Sequence, residues 1–411
     1  MLKDEAWHFT AIGTFIERAD NTTRVLEARE GRDGTAAVLA YDRATVCAAS
    51  RNRCRGHCTE DFSYQQLLFG TVSYASTIPF AKRYMRALAH LPMLQHPSDA
   101  PLRAVEVCFG TGTTAGAFTT HPSLASLTIV DINRDVFAFA RHFAESNHGV
   151  LDDRRVTAVV EDGRHHLAVT DARWDVVSLE PPPPTAEGAA TLYTREFYAA
   201  ARARMRHGGI LAQWIPLDQQ AARHDRAMLA AMLAEFAHVE LYIPSRVEGV
   251  VLASDTALTP ELSRWRSRWG APAVTGSLAD VGFPSPEALA ATRVLDTAGV
   301  RAWVGREQPM VDDLPSVEFY RTAPGEPFRV ETMLALRAPW NDLARDDATR
   351  EVLATRGAVE ATGMRAWMRS LAGDDVAVRA SVASMRAALP DDVYTRYLAT
   401  LEYDCLAMDD P

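Results

Sequence analysis

One stretch of the sequence constrains the fold more than any other, because an apolar run in it breaks abruptly into glycines. Residues 104–114 read AVEVCFGTGTT, so a β-branched run passes directly into Gly110-Thr111-Gly112. This pattern is typical of a strand that ends in a tight turn, where small residues let a ligand approach the backbone closely. The next apolar run, SLTIVD, ends at Asp131, and an acid there can bind the two hydroxyls of a ribose. Together the two patterns predict a nucleoside-binding site.

Apolar runs continue to alternate with helix-length connectors as far as about residue 255. In chain order the runs are AVEVCF, LTIV, VTAVV, DVVSLE, GILAQWI, HVELYI and VVLAS. Strands separated by helices imply right-handed crossovers and a largely parallel sheet. We therefore predict an α/β fold, a doubly wound, mainly parallel Rossmann-like sheet with an N-terminal β-hairpin region and a helical C-terminal extension.

The flanking regions are predicted from weaker patterns. Short β-branched segments at 35–41 and 44–48 predict small N-terminal hairpins. Apolar residues between Tyr64 and His96 recur at helical spacing, which predicts a helical connector. The resulting division is a β-rich region over 1–62, a connector over 63–103, a nucleoside-binding catalytic domain over 104–328 and an extension over 329–411.

Capping patterns refine the second half of the chain. Residues 259–269 and 285–295 begin with Thr or Ser followed by Pro and Glu, which predicts capped helices. The tail contains two more helical patterns, ATREVLATRG and DVAVRASVASMRAAL, without a chemical motif. Asp312 and Asp313 precede Pro315 and are predicted to cap a turn rather than to act in catalysis.

Composition excludes several classes of protein. The chain has 411 residues, of which 47% are hydrophobic and 23% charged, as in ordinary globular proteins. A net charge of -10 repels nucleic acid, so we expect no nucleic-acid partner. No run of 18 apolar residues exists, and the start MLKDEAWHFT does not resemble a signal peptide. We therefore expect no membrane part and a cytoplasmic location.

The cysteines predict neither a disulfide framework nor a metal site. There are five of them, at positions 47, 54, 58, 108 and 405. Their odd number and wide spacing argue against paired disulfides. Three of them lie near His57, but the second ligand pair of the common zinc patterns is missing, so we expect no metal.

The glycine loop alone does not identify the nucleoside. Gly110-x-Gly112-x-x-Ala115 also satisfies the fingerprint of NAD-binding proteins. Two further acids follow in order, Asp162 with Gly163 after the third strand and Glu180 with four prolines after the fourth. The first acid can hold an adenine amino group, and the second faces the reacting end of the ligand, since such sheets bind at their carboxyl ends. This order fits S-adenosylmethionine better than NAD.

Three further segments carry a resemblance to a known family. RHGGILAQW after LYTREFYAAARARM resembles the strand-five entry of the spermidine synthase family, within the class I methyltransferase-like fold. CTEDFSYQQLL is similar to that family's Thr-Glu-x-x-Glu-Phe-x-Tyr-Gln-Glu segment. PMVDDLPSVEFY is similar to the Asp-Asp-x-Pro-x-x-Glu-Phe stretch of longer bacterial spermidine synthase-like proteins. The resemblance covers about residues 35 to 325.

The resemblance implies a set of site residues. For the donor nucleoside these are Asp131 at the ribose, Asp162 and Gly163 at the adenine, and Gln65 beside the sulfonium. Gly110 and Gly112 lie along the methionine-derived chain, and we count Thr111 between them among the donor-binding residues. Glu180 and Tyr64 are the implied catalytic residues. We add Glu187, Tyr193 and Tyr198 as predicted lining of a lid over the substrate.

Thr111 departs from the family pattern. It stands where aminopropyltransferases carry the Asp that holds the ammonium group of decarboxylated S-adenosylmethionine. A hydroxyl cannot replace that charge, so both intact and decarboxylated S-adenosylmethionine remain candidate co-substrates.

The leading hypothesis is transfer of an aminopropyl-type alkyl group to a small-molecule amine, with release of methylthioadenosine, by a homodimer that needs no metal. A methyltransferase acting on a small molecule is the alternative, because Glu180 and its prolines loosely resemble the Asn/Asp-Pro-Pro-aromatic motif of amine methylases. A non-catalytic nucleoside-binding protein is the third possibility.

Overall fold

The structure is a computed structural model. It describes residues 25–30, 36–42, 63–69, 72–186, 188–258, 260–319, 330–337 and 340–399. These residues form two sheets, one with four strands and one with eight, and helices that cover the larger sheet.

The smaller sheet contains the four N-terminal strands in chain order. They are β1 (Val25–Glu30), β2 (Ala36–Asp42), β3 (Ser63–Phe69) and β4 (Val72–Ser76), and each pairs antiparallel with the next. The strand expected at 35–41 is thereby confirmed, whereas the segment at 44–48 lies outside the described residues.

The helical prediction from Tyr64 onward is wrong for its first part. Tyr64 and Gln65 lie on β3, and the first helix, α1 (Pro79–Gln95), begins only at Pro79. β3 pairs with β2 on one side and β4 on the other, and these two ladders outweigh the helix-like spacing of its apolar residues. Pro79 occupies the first turn of α1, where its fixed φ and missing N–H are tolerated.

The larger sheet contains the predicted Rossmann-like core. Its strands are β5 (Leu102–Val107), β6 (Leu124–Asp131), β7 (Val156–Val160), β8 (Trp174–Leu179), β9 (Met205–Pro216), β10 (His238–Ser245), β11 (Glu248–Ser254) and β12 (Arg293–Leu295). Their order is β12-β10-β11-β9-β8-β5-β6-β7. The five strands from β9 to β7 are parallel, while β10, β11 and β12 pair antiparallel. The seven predicted strands and the α/β class are confirmed.

The remaining helices follow in chain order. They are α2 (Thr113–Thr119), α3 (Arg134–Phe139), α4 (Ala144–Asn147), α5 (Gly163–Val169), α6 (Arg195–Ala203), α7 (Ala222–Glu235), α8 (Leu262–Trp269), α9 (Pro272–Ala279), α10 (Pro286–Ala290), α11 (Thr297–Val304), α12 (Ser316–Phe319), α13 (Val330–Leu334), α14 (Asp347–Leu371), α15 (Asp375–Ala388) and α16 (Val393–Ala399). In the described part of the chain, no helix has both the length and the apolar character needed to cross a membrane. The helix-rich C-terminal extension is confirmed as far as residue 399.

The helix predicted over 285–295 is only half correct. α10 begins at Pro286 behind a Ser285 cap but ends at Ala290, and Arg293–Leu295 forms edge strand β12. β12 pairs with β10, and the buried Arg293 lies 3.3 Å from Glu240 of that strand. This long-range ion pair is invisible in the local pattern that predicted a helix.

α1 belongs to the core rather than to a connector. All of its residues except Lys82 are buried, and it packs against β9, β10 and β11. Its Arg83 contacts the rings of Phe283 and Tyr394 and ion-pairs with Glu360 of α14 at 2.5 Å. α1 therefore joins the sheet to the C-terminal extension.

The chain reverses its winding direction between β5 and β8, which are neighbours in the sheet. A sheet of this kind binds ligands in the crevice at the carboxyl ends of the strands on either side of such a point. The loop after β5 and the residue after β8 meet there, since the Glu180 N–H donates to the carbonyl of Val107 at 3.2 Å.

Candidate active site

The loop after β5 forms a tight cradle. Cys108, Gly110 and Gly112 all have left-handed backbone conformations, with φ of 71°, 54° and 77°. A Cβ atom on Gly112 would lie 2.4 Å from the ring of Phe109, and one on Gly110 would lie 3.3 Å from the Cβ of Ala75. Both the backbone conformation and the close packing therefore require glycine at position 112.

Thr111 is turned away from the cradle. Its side chain is buried, and its hydroxyl lies 2.8 Å from the hydroxyl of Thr113, which in turn lies 2.7 Å from that of Ser146. The position that holds an acid in the family thus carries an internally hydrogen-bonded hydroxyl here.

Asp131 ends β6, and its side chain holds the backbone of the cradle by a hydrogen bond. One carboxylate oxygen accepts the N–H of Phe109 at 2.8 Å and the other accepts that of Asn133 at 2.8 Å. Burial raises the pKa of Asp131, and these two N–H groups oppose the rise. Because each carboxylate oxygen can accept a further hydrogen bond, the arrangement is compatible with the predicted ribose contact.

Asp162 and Gly163 begin α5 and have clear structural roles. A side-chain oxygen of Asp162 accepts the N–H of His165 at 2.7 Å and caps the helix. A Cβ on Gly163 would lie 2.2 Å from a methyl group of Val107, so glycine lets α5 pack closely against β5. The predicted contact with adenine is not tested by these contacts and stays a prediction.

Glu180 follows β8 and is held on both carboxylate oxygens. Tyr84 of α1 donates its hydroxyl to one oxygen at 3.0 Å, and Thr114 of α2 donates to the other at 2.9 Å. Burial raises the pKa of Glu180 to about 7, and the two hydroxyl donors oppose the rise. A carboxyl group of this kind can both accept and release a proton near neutral pH.

Glu180 lines a cavity of about 250 Å³ between the two sheets. Its lining residues are Ala75, Ser76, Ile78, Ala81, Tyr84, Gly110, Glu180, Pro181, Pro182, Pro183, Trp214, Gln219, Arg246 and Glu248. The cavity thus joins the glycine cradle, the carboxylate at the end of β8 and the turn between β10 and β11. Of the residues predicted to bind the donor nucleoside, only Gly110 lines this cavity. We refer to the cradle together with Asp131 and Asp162, which are not among the lining residues, as the donor end.

The opposite side of the cavity, which we call the acceptor end, consists of Trp214, Arg246 and Glu248. Trp214 stacks on Tyr84, with ring centres 5.6 Å apart, and donates its indole N–H to Glu248 at 2.9 Å. The other oxygen of Glu248 accepts from the Arg246 guanidinium at 3.2 Å. Burial raises the pKa of Glu248 to about 7, while the charge of Arg246 opposes the rise.

Several residues predicted for the site do not line the cavity. Tyr193 and Tyr198 are buried in the hydrophobic core, and the Tyr193 hydroxyl donates to the carbonyl of Pro182, so the lid expected from these two tyrosines is wrong. Glu187 lies outside the described residues. Tyr64 and Gln65 lie on β3, one strand away from the Ala75 and Ser76 that line the cavity.

The sequence interpretation missed much of the acceptor end. Tyr84 contributes only to the helical spacing between Tyr64 and His96, and Trp214 only to the RHGGILAQW motif. Its place at the carboxyl end of β9 is a signal that could have identified it. Arg246 and Glu248 are two charges inside the otherwise apolar hairpin IPSRVEGVVLAS, which is a second such signal.

Asp312 makes structural contacts of a different kind from the predicted turn cap. It forms a two-pronged ion pair with Arg164 and accepts the Thr194 hydroxyl at 2.7 Å, which ties α5 to α6. No group of three or more potential metal ligands occurs within the described ranges. Cys47, Cys54 and Cys58 fall outside those ranges.

Two family models match the chain. Residues 81–247 match the spermine/spermidine synthase domain, so this part of the chain is spermidine synthase-like. Residues 1–96 match a model described as a predicted alpha-helical domain with a conserved ER motif. Within 1–96, however, the described residues form β1 to β4 before α1 begins.

The curated relatives are polyamine aminopropyltransferases. The enzyme of Bacillus subtilis is 32% identical over 152 residues, which are 37% of this chain and 53% of the relative. Polyamine aminopropyltransferase 2 of Pseudomonas aeruginosa is 28% identical over 204 residues, which are 48% of this chain and 58% of the relative. The chain therefore spans a little over half the length of the relatives it matches.

Solved structures are similar at low identity. A probable spermidine synthase from Corynebacterium glutamicum is 18% identical with a TM-score of 0.47, covering 73% of this chain and 100% of that one. Spermidine synthase from Thermotoga maritima is 17% identical with a TM-score of 0.43, covering 76% and 88%.

Proposed function

We propose that this chain, which is spermidine synthase-like over residues 81–247, transfers an aminopropyl-type alkyl group from S-adenosylmethionine or its decarboxylated form to an amine. The by-product is methylthioadenosine. One observation carries the proposal: a buried carboxylate, Glu180, with a pKa of about 7, lines the same cavity as the glycine cradle after β5.

The reaction is an in-line displacement. The lone pair of the amine forms a bond to the carbon attached to the sulfonium, and the carbon–sulfur bond breaks with its electrons moving to sulfur. The leaving thioether is neutral, so the protein chiefly needs to align the reactants rather than to stabilise an anion.

Glu180 is the proposed base. A free amine with a lysine-like pKa near 10.4 is almost wholly protonated at neutral pH and must lose a proton to attack. Glu180 in its ionised form orients the ammonium and accepts that proton. Tyr84 and Thr114 hold its two oxygens, so that the carboxylate cannot turn away from the cavity.

The donor end is proposed to bind the nucleoside. Gly110 and Gly112 leave room for the chain attached to the sulfonium, Asp131 accepts from the ribose, and Asp162 with Gly163 borders the adenine. The left-handed glycines and the buried carboxylate at the end of β6 support this assignment. In the same proposal Tyr64 takes part in catalysis and Gln65 lies beside the sulfonium, as the family resemblance implies. Glu187 is our own addition as lining of a lid over the substrate.

The relatives are named polyamine aminopropyltransferases, which supports an amine as the acceptor. We also propose that the protein acts in the cytoplasm and as a homodimer. Light scattering coupled to size exclusion and cell fractionation test these two points.

Product identification tests the function. The protein is incubated with intact or decarboxylated S-adenosylmethionine and a panel of amines, and the nucleoside product is identified by mass spectrometry. Methylthioadenosine together with an alkylated amine is expected. S-adenosylhomocysteine would instead identify a methyltransferase, and tight donor binding without either product would indicate a non-catalytic nucleoside-binding protein.

A further inference from the structure

We propose that Arg246, at the acceptor end of the cavity, is a carboxylate-binding subsite, so that the acceptor is an amino acid or another amino carboxylate rather than a simple diamine. This inference rests on the proposed transfer to an amine and names the chemical class of that amine.

The Arg246 guanidinium has hydrogen-bond donors that remain unused at the acceptor end. Each oxygen of Glu248 already accepts one hydrogen bond, from Trp214 or from Nη2 of Arg246, and the charge of Glu248 is paired with that of Arg246. In contrast, Nε of Arg246 has no hydrogen-bond partner, and its Nη1 donates to none of the residues that the structure describes. A guanidinium with unused donors matches a carboxylate, which it binds through two parallel hydrogen bonds.

Aromatic rings hold the guanidinium in place. Cζ of Arg246 lies 4.2 Å from the ring centre of Trp367 on α14 and 4.9 Å from that of Phe80 on α1. Its backbone N–H donates to the hydroxyl of Tyr394 on α16 at 2.9 Å. A guanidinium stacked on rings keeps its N–H edge for planar acceptors, so the C-terminal extension preorganises this subsite.

The charges along the cavity match an amino carboxylate. Glu180 accepts only from the neutral hydroxyls of Tyr84 and Thr114 and therefore keeps its charge available for an ammonium group. At the other end, the second ammonium of a diamine would lie beside Arg246, whose neighbour Glu248 is already paired with it. Like charges at short range disfavour that arrangement.

The cavity also limits the size of the acceptor. Its volume of about 250 Å³ falls below the range of roughly 300 to 1,000 Å³ typical of sites for drug-sized ligands. Short amino carboxylates such as 2,4-diaminobutyrate, ornithine and lysine suit such a cavity.

Matched acceptor pairs test the proposal. Each pair consists of an amino carboxylate and the diamine that lacks its carboxylate. The pairs are diaminobutyrate and 1,3-diaminopropane, ornithine and putrescine, and lysine and cadaverine. We expect at least one amino carboxylate to be used about tenfold more efficiently, in kcat/KM, than its diamine. In Arg246→Gln we expect a loss of about 10- to 100-fold for the amino carboxylate and a gain for the diamine, because the charge that repels the second ammonium is removed. Preference for the diamines, or an equal loss for both members of a pair, overturns the proposal.

A second variant and a binding measurement separate the role of Arg246 in binding from effects on folding or turnover. Arg246→Lys retains the charge and should recover part of the selectivity, and thermal unfolding of both variants identifies a folding defect. Calorimetric titration of the same pairs measures binding without turnover. If no amine yields methylthioadenosine, the proposed function fails, whereas the binding preference and its loss in Arg246→Gln still decide the inference.

Discussion

The donor end and the acceptor end of the candidate site are built in different ways. The donor end consists mainly of backbone, since the loop after β5 and the ends of β6 and β7 are continuous segments whose shape follows from glycines and local hydrogen bonds. The acceptor end consists of side chains from distant parts of the chain, such as Trp214, Arg246 and Trp367. A backbone cradle suits any S-adenosyl nucleoside, whereas the side-chain assembly can select an individual acceptor.

Glu180 and Tyr84 join the two ends. The Tyr84 hydroxyl donates to Glu180, and its ring stacks on Trp214, which donates to Glu248. The position of the carboxylate at the reaction centre therefore depends on both the donor-side helix α2, through Thr114, and the acceptor-side aromatic pair. Variants that change one end of the site at a time test whether the donor end and the acceptor end have these separate roles.

The largest effect is expected from Glu180→Gln, which removes the proposed base shared by both ends. We expect kcat to fall by about 10²- to 10⁴-fold, the usual contribution of general acid–base catalysis. Donor affinity should stay within about threefold, because a neutral amide of the same shape preserves the cavity. Steady-state kinetics and calorimetry with the donor measure the two quantities.

Glu180→Asp serves as the matched control, because it keeps the charge but shortens the side chain. It should retain more activity than Glu180→Gln. Full activity of Glu180→Gln would show that another group takes the proton.

Gly112→Ala tests the backbone cradle of the donor end. The new Cβ would meet the Phe109 ring at 2.4 Å in a left-handed conformation, so we expect a loss of stability of about 2 to 5 kcal/mol from strain plus overpacking. Donor affinity should fall along with stability. Chemical denaturation and donor titration measure these changes.

Gly373→Ala is the control for strain alone. Gly373 also has a positive φ, 72°, but a Cβ there would meet no atom within 4 Å. It should cost about 1 to 2 kcal/mol and leave donor binding unchanged. Equal losses in the two variants would mean that the contact with Phe109 does not shape the cradle.

The same contrast explains how much the sequence could predict. The donor end was accessible because AVEVCFGTGTT, Asp131 and Asp162 each lie where a continuous apolar run ends. The acceptor end was accessible only in part. Trp214 and Arg246 carry local signals, but their meeting with Trp367 depends on the packing of α14 against the β10–β11 turn. No local pattern encodes contacts between residues more than a hundred positions apart.

Local context also explains the individual errors. The apolar residues of β3 have helix-compatible spacing, and only pairing with β2 and β4 makes them a strand. Tyr193 and Tyr198 follow the proline run and were therefore placed on a lid, but both are fully buried in the core. A tyrosine has an apolar ring and a polar hydroxyl, so the sequence alone is compatible with a place in the core or at the surface of a site.

Trp367→Phe tests the contribution of the extension to the acceptor end. Phenylalanine keeps a ring over Arg246 but loses the hydrogen bond from the indole to Asp218 at 2.7 Å. We expect KM for the acceptor to rise about two- to tenfold, with kcat and donor affinity unchanged. Kinetics with each substrate varied in turn separate these parameters.

Trp340→Phe provides the control within the same extension. Trp340 contacts Arg337, with 5.2 Å between the guanidinium carbon and the ring centre, and does not line the cavity. An equal rise in acceptor KM for this variant would reduce the role of Trp367 to general stability.

The smallest expected effect is a shift in pH dependence. Burial raises the pKa values of both Glu180 and Glu248 to about 7, so the pH profile of the unmodified protein does not tell them apart, whereas a variant that changes only one of the two pKa values does. A base must be ionised, so activity should rise with pH through about 7. Thr114→Val removes a donor that lowers the pKa of Glu180. The rising limb of kcat/KM should therefore move to higher pH by about half a unit.

Thr362→Val, which alters an exposed hydroxyl on α14, is the control and should leave the profile in place. If Thr114→Val also leaves it in place, the titrating group belongs to the acceptor end, and Glu248 replaces Glu180 as the group that sets the pH dependence.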